Sequence, residues 1–336
     1  MNDGGPRFLI VRLGSLGDVI HAVPAAVALR RRYPEARIDW AVDPAYVSML
    51  GLVTGIDERI PVDPRGPRAV MLSTMGRLRR QRYDATLDLQ GLLKSAVLAR
   101  SAGARRTIGF TRPHLREPAA RFLYSEQVDP GEAVHVIDKN LQLAGALGVT
   151  DTRVLFPLEI PRTAIADAAA ASCGSDGYVV INPGAAWPNK RWPPERFGAL
   201  ARAIRDRRGL RSLIVWGPGE SAVAETAWRE SQGAGELSPP TSIPDLFAIA
   251  KRARLLVSGD TGPLHIGGAV GTPIVALFGP TRWERNGPWS PADAVVSRYE
   301  RCHCHYERRC RLSTPCIDDI GVDEVMAAVE RRLDQS

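Results

Sequence analysis

The sequence predicts an α/β protein of two doubly wound domains facing a central cleft, on three observations. A chain of 336 residues suits about two domains at roughly 150 residues each. Short β-branched or apolar runs alternate with longer amphipathic stretches, the pattern of parallel strands joined by crossover helices. The pattern then starts over near residue 177, so strand, turn and helix recur in the second half. Doubly wound sheets take ligands at the carboxyl ends of their strands, which places the expected active site in the cleft between the halves.

The elements follow in order. An apolar run predicts a first strand over 8–13. The helix expected over 18–32 carries Val19, Ile20, Val23 and Val27 at helical spacing and ends in Arg30-Arg31-Arg32, favourable at a helix C-terminus; Pro24 is its expected bend. Strands at 38–42 and 85–89 and a basic amphipathic helix over 68–83 complete the first half. The Pro-containing stretch 156–161 and the alanine-rich 164–171 set a boundary within 155–175. Strands at 178–182, 213–216, 255–258 and 274–278 make the second half, with a helix over 194–208 after the first of them. Residues 231–244, rich in Gly, Ser and Pro, read as a loop, and a last amphipathic helix over 322–333 fits either domain. The division is therefore 1–160, 161–320 with a Cys-rich segment at 302–316, and a C-terminal helix in 321–336.

Composition bounds the function. With 44% hydrophobic and 24% charged residues the chain can bury a sizeable core, which excludes disorder and collagen-like repeats. The formal charge is +7, carried by 40 arginines and only four lysines, and points to anionic partners. Residues 59–121 concentrate it, with 14 Lys/Arg against four Asp/Glu. The longest apolar candidate for a membrane span, 266–278, is broken by Gly267, Gly268, Gly271 and Pro273. The start, Met1-Asn2-Asp3-Gly4-Gly5-Pro6-Arg7, has no leader pattern, so a cytoplasmic protein is expected.

The first strand runs into Leu13-Gly14-Ser15-Leu16-Gly17-Asp18. This glycine turn departs from the dinucleotide fingerprint and lacks the Walker lysine, so it supports neither a dehydrogenase nor a P-loop NTPase. Asp18 reads either as a general base projecting from a strand-to-helix junction or as a helix cap. In the second half, Ser258-Gly259-Asp260-Thr261-Gly262-Pro263-Leu264-His265 reads either as a diphosphate site at a helix N-terminus or as a capped helix, and His265 as a ligand contact or a satisfied helix histidine. Lys190, in the loop after Asn182-Pro183-Gly184, reads as a phosphate contact or a solvated cation. Trp216-Gly217 and Phe278-Gly279-Pro280-Thr281 also follow strands, so four strand-end loops are expected to converge on one ligand.

These motifs carry a resemblance. Gly14-x-x-Gly17-Asp18-x-x-His21-x-x-Pro24, Asp88-x-Gln90-Gly91-x-x-Lys94-Ser95 and Arg116-Glu117-Pro118 resemble the N-terminal half of the lipopolysaccharide heptosyltransferases, glycosyltransferase family 9; Lys190-x-Trp192-Pro193, Asp260-Thr261-Gly262-x-x-His265 and Phe278-Gly279-Pro280-Thr281 resemble its C-terminal half. Lys94-Ser95 and Arg116-Glu117-Pro118 are most like the heptosyltransferase I branch, which adds the first heptose to Kdo-lipid A. The resemblance implies a GT-B fold of two Rossmann-like domains and inverting transfer, with Asp18 as base and Lys190 stabilising the departing diphosphate. It implies donor binding of ADP-heptose by Asn182, Gly184, Lys190, Trp216, Gly217, Asp260, Thr261, Gly262, Leu264, His265, Gly279 and Thr281. It implies acceptor binding of Kdo-lipid A by Ser15, Gly17, His21, Arg65, Arg68, Gln90, Lys94, Arg116 and His135. The enzyme is then expected at the inner face of the cytoplasmic membrane, peripherally bound to the inner-leaflet surface, with no nucleic-acid partner. No Asp-x-Asp motif occurs, so no cofactor is expected to be required for catalysis.

Cys302, Cys304, Cys310 and Cys316 depart from the heptosyltransferase I pattern and are reminiscent of other family 9 members, including protein heptosyltransferases. Their spacing suits a structural zinc or iron in a reducing compartment, with free thiols or disulfides as the other readings; Cys173 stands alone. The alternatives are a family 9 transferase with another acceptor (a different core heptose or a protein), a sugar-nucleotide epimerase of similar architecture, and a basic nucleic-acid-binding protein with a metal-bound Cys cluster.

Overall fold

Two parallel six-stranded sheets organise the chain. The structure, a computed structural model, describes residues 5–335; residues 1–4, part of the segment expected to carry no leader, lie outside the described residues. It divides into two units, Met1–Glu159 and Ile160–Ser336.

The first unit holds β1 (Arg7–Val11), α1 (Leu16–Arg32), β2 (Arg37–Val42), α2 (Val47–Gly51), β3 (Glu58–Pro61), α3 (Arg68–Arg80), β4 (Ala85–Asp88), α4 (Leu93–Ser101), β5 (Arg106–Phe110), β6 (Glu126–Val128) and α5 (Val136–Gly145). Its strand order is β3-β2-β1-β4-β5-β6, with Ile10 opposite Trp40 on one side and Leu87 on the other. Central strands of a parallel sheet are covered on both faces, and β1 is accordingly an unbroken apolar run from Phe8 to Val11. Its Leu9 and Val11 share one core with Leu78 of α3 and Leu98 and Ala99 of α4. Pro24 lies inside a continuous α1.

The second unit repeats the plan with α6 (Ala164–Cys173), β7 (Tyr178–Asn182), α7 (Pro194–Arg208), β8 (Arg211–Ile214), α8 (Ser221–Glu230), β9 (Gly235–Leu237), α9 (Ile243–Arg252), β10 (Leu255–Gly259), α10 (Gly262–Val270), β11 (Ile274–Phe278), α11 (Trp283–Asn286), β12 (Ala294–Ser297) and α12 (Val322–Asp334). Its strand order is β12-β11-β10-β7-β8-β9. Helix α12 buries Val325, Met326, Ala328, Val329 and Leu333 in the same core as Phe197 and Leu200 of α7, so the terminal helix is part of this unit.

Three sequence expectations need correction. The segment 231–244 is not merely a loop: it contains β9 and the start of α9, which Ser242 caps by accepting the Asp245 N–H while Asp245 accepts the Ser242 N–H. β3, β6, β9 and β12 escaped notice because edge strands of three or four residues carry too few side chains to show a period. β5 escaped because Thr107 and Gly109 interrupt its apolar run, and Gly109 has a reason to be there: a Cβ on it would lie 2.3 Å from the Tyr124 ring. Among the described residues no helix is long and apolar enough to cross a membrane.

Candidate active site

In the first unit the site begins where β1 ends. Ser15 is the N-cap of α1 and Asp18 its third residue; the Ser15 N–H and hydroxyl both donate to Asp18 Oδ2 at 3.1 Å, a capping box. The helix-cap reading of Asp18 is therefore met, yet it is only half of the geometry. The other oxygen, Oδ1, lies 2.5 Å from Nη2 of Arg12, a buried guanidinium at the end of β1. Gly14 permits the tight approach of Tyr46, since a Cβ there would stand 2.7 Å from the Tyr46 ring. Burial, with the negative charges of Asp43 and Asp18, pushes the Tyr46 phenol above its ordinary range.

The loop after β4 is tied to this turn. The Gln90 amide oxygen accepts the Leu13 N–H at 2.8 Å, and the Leu89 carbonyl accepts from Arg12 Nη1. Beneath the loop, fully buried Asp88 accepts from the Gln90 N–H (2.9 Å), the Gly91 N–H (3.3 Å), the Ser95 hydroxyl (2.9 Å) and the Tyr124 hydroxyl (2.8 Å). Burial raises its carboxyl pKa even against those donors. Glu117 Oε2 accepts the Leu93 N–H at 2.7 Å, which ties the start of α4 to the Arg116-Glu117 loop. The structure thus links Ser15, Asp18 and Gln90 through Arg12 and Leu13, with Gly17 inside the first turn of α1. His21, one turn along α1, meets His135 edge-on at 5.3 Å between ring centres. Arg65, Arg68, Lys94 and Arg116 are exposed and make no ion pair among the described residues, leaving their charge available to an anion.

In the second unit the strand ends carry a denser network. Asp260 is its hub: Lys190 Nζ ion-pairs with Oδ2, the Thr281 hydroxyl donates to Oδ2 at 2.7 Å, and the Asn286 side chain donates to Oδ1 at 2.6 Å. His265 Nε2 stands 3.8 Å from Oδ1. Lys190 also lies over the Trp187 ring at 4.5 Å, so the cation is fixed from two sides rather than solvated. Thr261 occupies the N-cap of α10 without capping it by its side chain: its hydroxyl accepts from Asn182 Nδ2 at 3.0 Å and meets Ser258 at 3.1 Å. The expected side-chain cap is absent because both candidates are engaged elsewhere. The positive end of α10 therefore faces the region of Lys190 and Asp260 without a carboxylate of its own in the first turn.

Gly184 packs against Glu220, which accepts the Gly217 N–H at 3.1 Å within its own loop, so two of the expected loops lie against each other. Trp216 donates its indole N–H to the Ser238 carbonyl. Gly279 leaves room for Ile317 and the Asn189 carbonyl. Leu264 does not present its side chain to a ligand: it is 1% exposed, and its N–H turns back to the Thr261 carbonyl.

Among the clustered cysteines, the Cys304 and Cys310 sulfurs are 3.2 Å apart. Burial first, and then Cys302, push the Cys316 thiol up to about 12. The Arg311 N–H, donated to the Cys304 sulfur at 3.1 Å, holds that thiol below its usual value. Among the described residues no group of three or more His, Cys, Asp or Glu side chains is arranged to hold a metal ion. The segment braces two strand-end loops, through Asn189 Nδ2 donating to the Glu307 carbonyl at 2.8 Å and the Tyr306 N–H donating to the Pro280 carbonyl at 3.0 Å.

Sequence reasoning missed Arg12 and Asn286, and gave Trp187 and Glu220, in the loops after β7 and β8, no role of their own. Arg12 had a visible signal, a cation directly after a buried strand and two residues before a glycine turn; Asn286 had none, because only folding brings it to Asp260.

Comparison with known proteins gives the chain its relatives. The family described as glycosyltransferase family 9 (heptosyltransferase) matches residues 71–314. Lipopolysaccharide heptosyltransferase 1 of Pseudomonas aeruginosa is 31% identical over 82% of this chain and 79% of its own length. Lipopolysaccharide heptosyltransferase 3 of Escherichia coli is 25% identical over 94% and 95%. The solved structure of E. coli heptosyltransferase WaaC with ADP-2-deoxy-2-fluoro heptose is similar at a TM-score of 0.74, with 25% identity over 96% of this chain and 99% of that one.

Proposed function

Since the chain belongs to glycosyltransferase family 9 and is a heptosyltransferase of lipopolysaccharide core synthesis, we propose that it moves heptose from ADP-heptose to a Kdo hydroxyl of Kdo-lipid A, inverting the anomeric centre. The observation that carries the mechanism is Asp18, a carboxylate set at the start of α1 with one oxygen on a buried arginine and the other on Ser15. Asp18 takes the proton of the acceptor hydroxyl, and that oxygen attacks the anomeric carbon on the face opposite ADP. The bond from this carbon to the diphosphate oxygen breaks, and ADP leaves with the electron pair. Lys190 and the positive end of α10 stabilise the charge that develops on it. Asp260, itself held by Thr281, and Trp187 keep Lys190 in place for that role.

The unpaired cations Arg65, Arg68, Lys94 and Arg116 support an acceptor bearing phosphates and carboxylates. Val70 and Leu72, exposed on α3 beside Arg68, Arg79 and Arg80, support binding to the inner leaflet of the cytoplasmic membrane from the cytoplasmic side. The absence of an Asp-x-Asp pair in the sequence supports a transfer step that needs no divalent cation.

Asp18→Asn tests the assignment. Turnover is expected to fall by about 10²–10⁴-fold with the Kd for ADP nearly unchanged. Turnover close to that of the wild type would remove Asp18 from the mechanism.

A further inference from the structure

We infer that Arg12 is a positioning residue for the transfer step: it keeps the Asp18 carboxylate ionised and aims it. The inference rests on the assignment of Asp18 as the base. Arg12 is only 7% exposed and is fixed from three directions. Its N–H donates to the Ala41 carbonyl at 3.2 Å, its carbonyl accepts from the Trp40 indole at 3.2 Å, and Nη1 donates to the Leu89 carbonyl. What remains of the guanidinium points Nη2 at Asp18 Oδ1, 2.5 Å away.

A capping box does not require this. Ser15 and Asp18 satisfy each other at the rim of the fold, where Ser15 is exposed, and a cap of that kind works without a cation. Burying a guanidinium is costly unless its donors are met, and Arg12 Nε is buried with no partner among the described residues. An under-satisfied buried cation against one carboxylate destabilises the fold relative to an apolar side chain. Such a group is more readily accounted for by chemistry than by packing.

The chemical consequence follows from charge. A cation in contact with a carboxylate favours its ionised form, so Arg12 extends the range over which Asp18 is available as a base toward lower pH. By holding Oδ1 it also fixes the plane of the carboxylate while Ser15 holds Oδ2. The other charged and titratable groups about this turn are Tyr46, with Asp43 and Arg65 acting on it, and the His21–His135 pair one helical turn away.

The test compares Arg12→Gln and Arg12→Lys with Asp18→Asn, reading kcat/KM for the acceptor between about pH 5 and 9 together with the Kd for ADP. For Arg12→Gln the acid limb is expected to move up by about one pH unit or more, kcat at neutral pH to fall at least about tenfold, and ADP affinity to stay within about twofold. Arg12→Lys, which keeps the charge but not the fork, is expected to hold the acid limb within about 0.3 unit of the wild type at reduced kcat. An unshifted limb in Arg12→Gln would make Arg12 a structural tie and overturn the proposal. Should Arg12→Gln fail to fold, a limb displaced by about one unit in Arg12→Lys would do the same. Near-normal turnover in Asp18→Asn would remove the base itself, a failure distinguishable from an inactive Asp18→Asn with an unshifted Arg12→Gln.

Discussion

Lys190 and Asp260 form a nearly buried ion pair, with side chains 14% and 4% exposed. A pair of this kind contributes little net stability, and its removal from one side leaves a buried charge uncompensated. The structure tempers that cost for Asp260, because Thr281 and Asn286 still donate to it when Lys190 is gone. Lys190→Ala is therefore expected to leave a folded protein whose Kd for ADP rises about 10–100-fold, as titration calorimetry would show. An unchanged Kd would place Lys190 outside the donor site. Lys190 and Asp260 were readable from the sequence because a cation and an acid stand at strand ends in a lysine-poor chain. Their bond to each other was not, since 70 residues separate them and only the strand order brings β10 beside β7.

At the level of elements, the loop after β4 depends on a crossing that the sequence conceals. Tyr124 reaches Asp88 over β5 only because Gly109 has no side chain. Gly109→Ala is expected to cost about 2 kcal/mol or more by displacing the ring and leaving a buried acceptor short of a donor, measurable by urea unfolding. A loss below about 0.5 kcal/mol would mean the ring has another route. Asp88 makes a pH prediction of definite sign. Its folded pKa lies above the unfolded one, so its contribution is full below the ordinary aspartate value and is lost as pH rises through the raised folded value. The stability of the wild type relative to Asp88→Asn is expected to decline across that window and then level off, and a difference that grows with pH would contradict it. The long amphipathic helices and the buried strands were legible because their periods are sustained. β5 was not, since Thr107 and Gly109 interrupt its apolar run and Gly109 answers to the Tyr124 ring rather than to strand periodicity.

Across the whole molecule, two parallel six-stranded sheets with flanking helices give the GT-B fold of the heptosyltransferases. Charge is uneven along the chain, with +5 in residues 1–160 and +2 in the remainder. The excess in 59–121 includes α3, which exposes Val70 and Leu72 among its arginines. The protein is expected to float with vesicles containing phosphatidylglycerol and to be released at about 0.5 M salt. Equal retention on neutral vesicles would contradict an electrostatic surface. Charge concentration was plain in the sequence, whereas the approach of Cys304 to Cys310 and the bracing of the Asn189 and Pro280 loops by Glu307 and Tyr306 were not, because spacing alone does not set which groups meet. Mass spectrometry of the products formed from ADP-heptose and Kdo-lipid A identifies the transferred sugar and its acceptor together. Kdo-lipid A is expected to gain the mass of one heptose; an unchanged Kdo-lipid A beside a heptosylated core oligosaccharide or protein acceptor would overturn the proposed transfer.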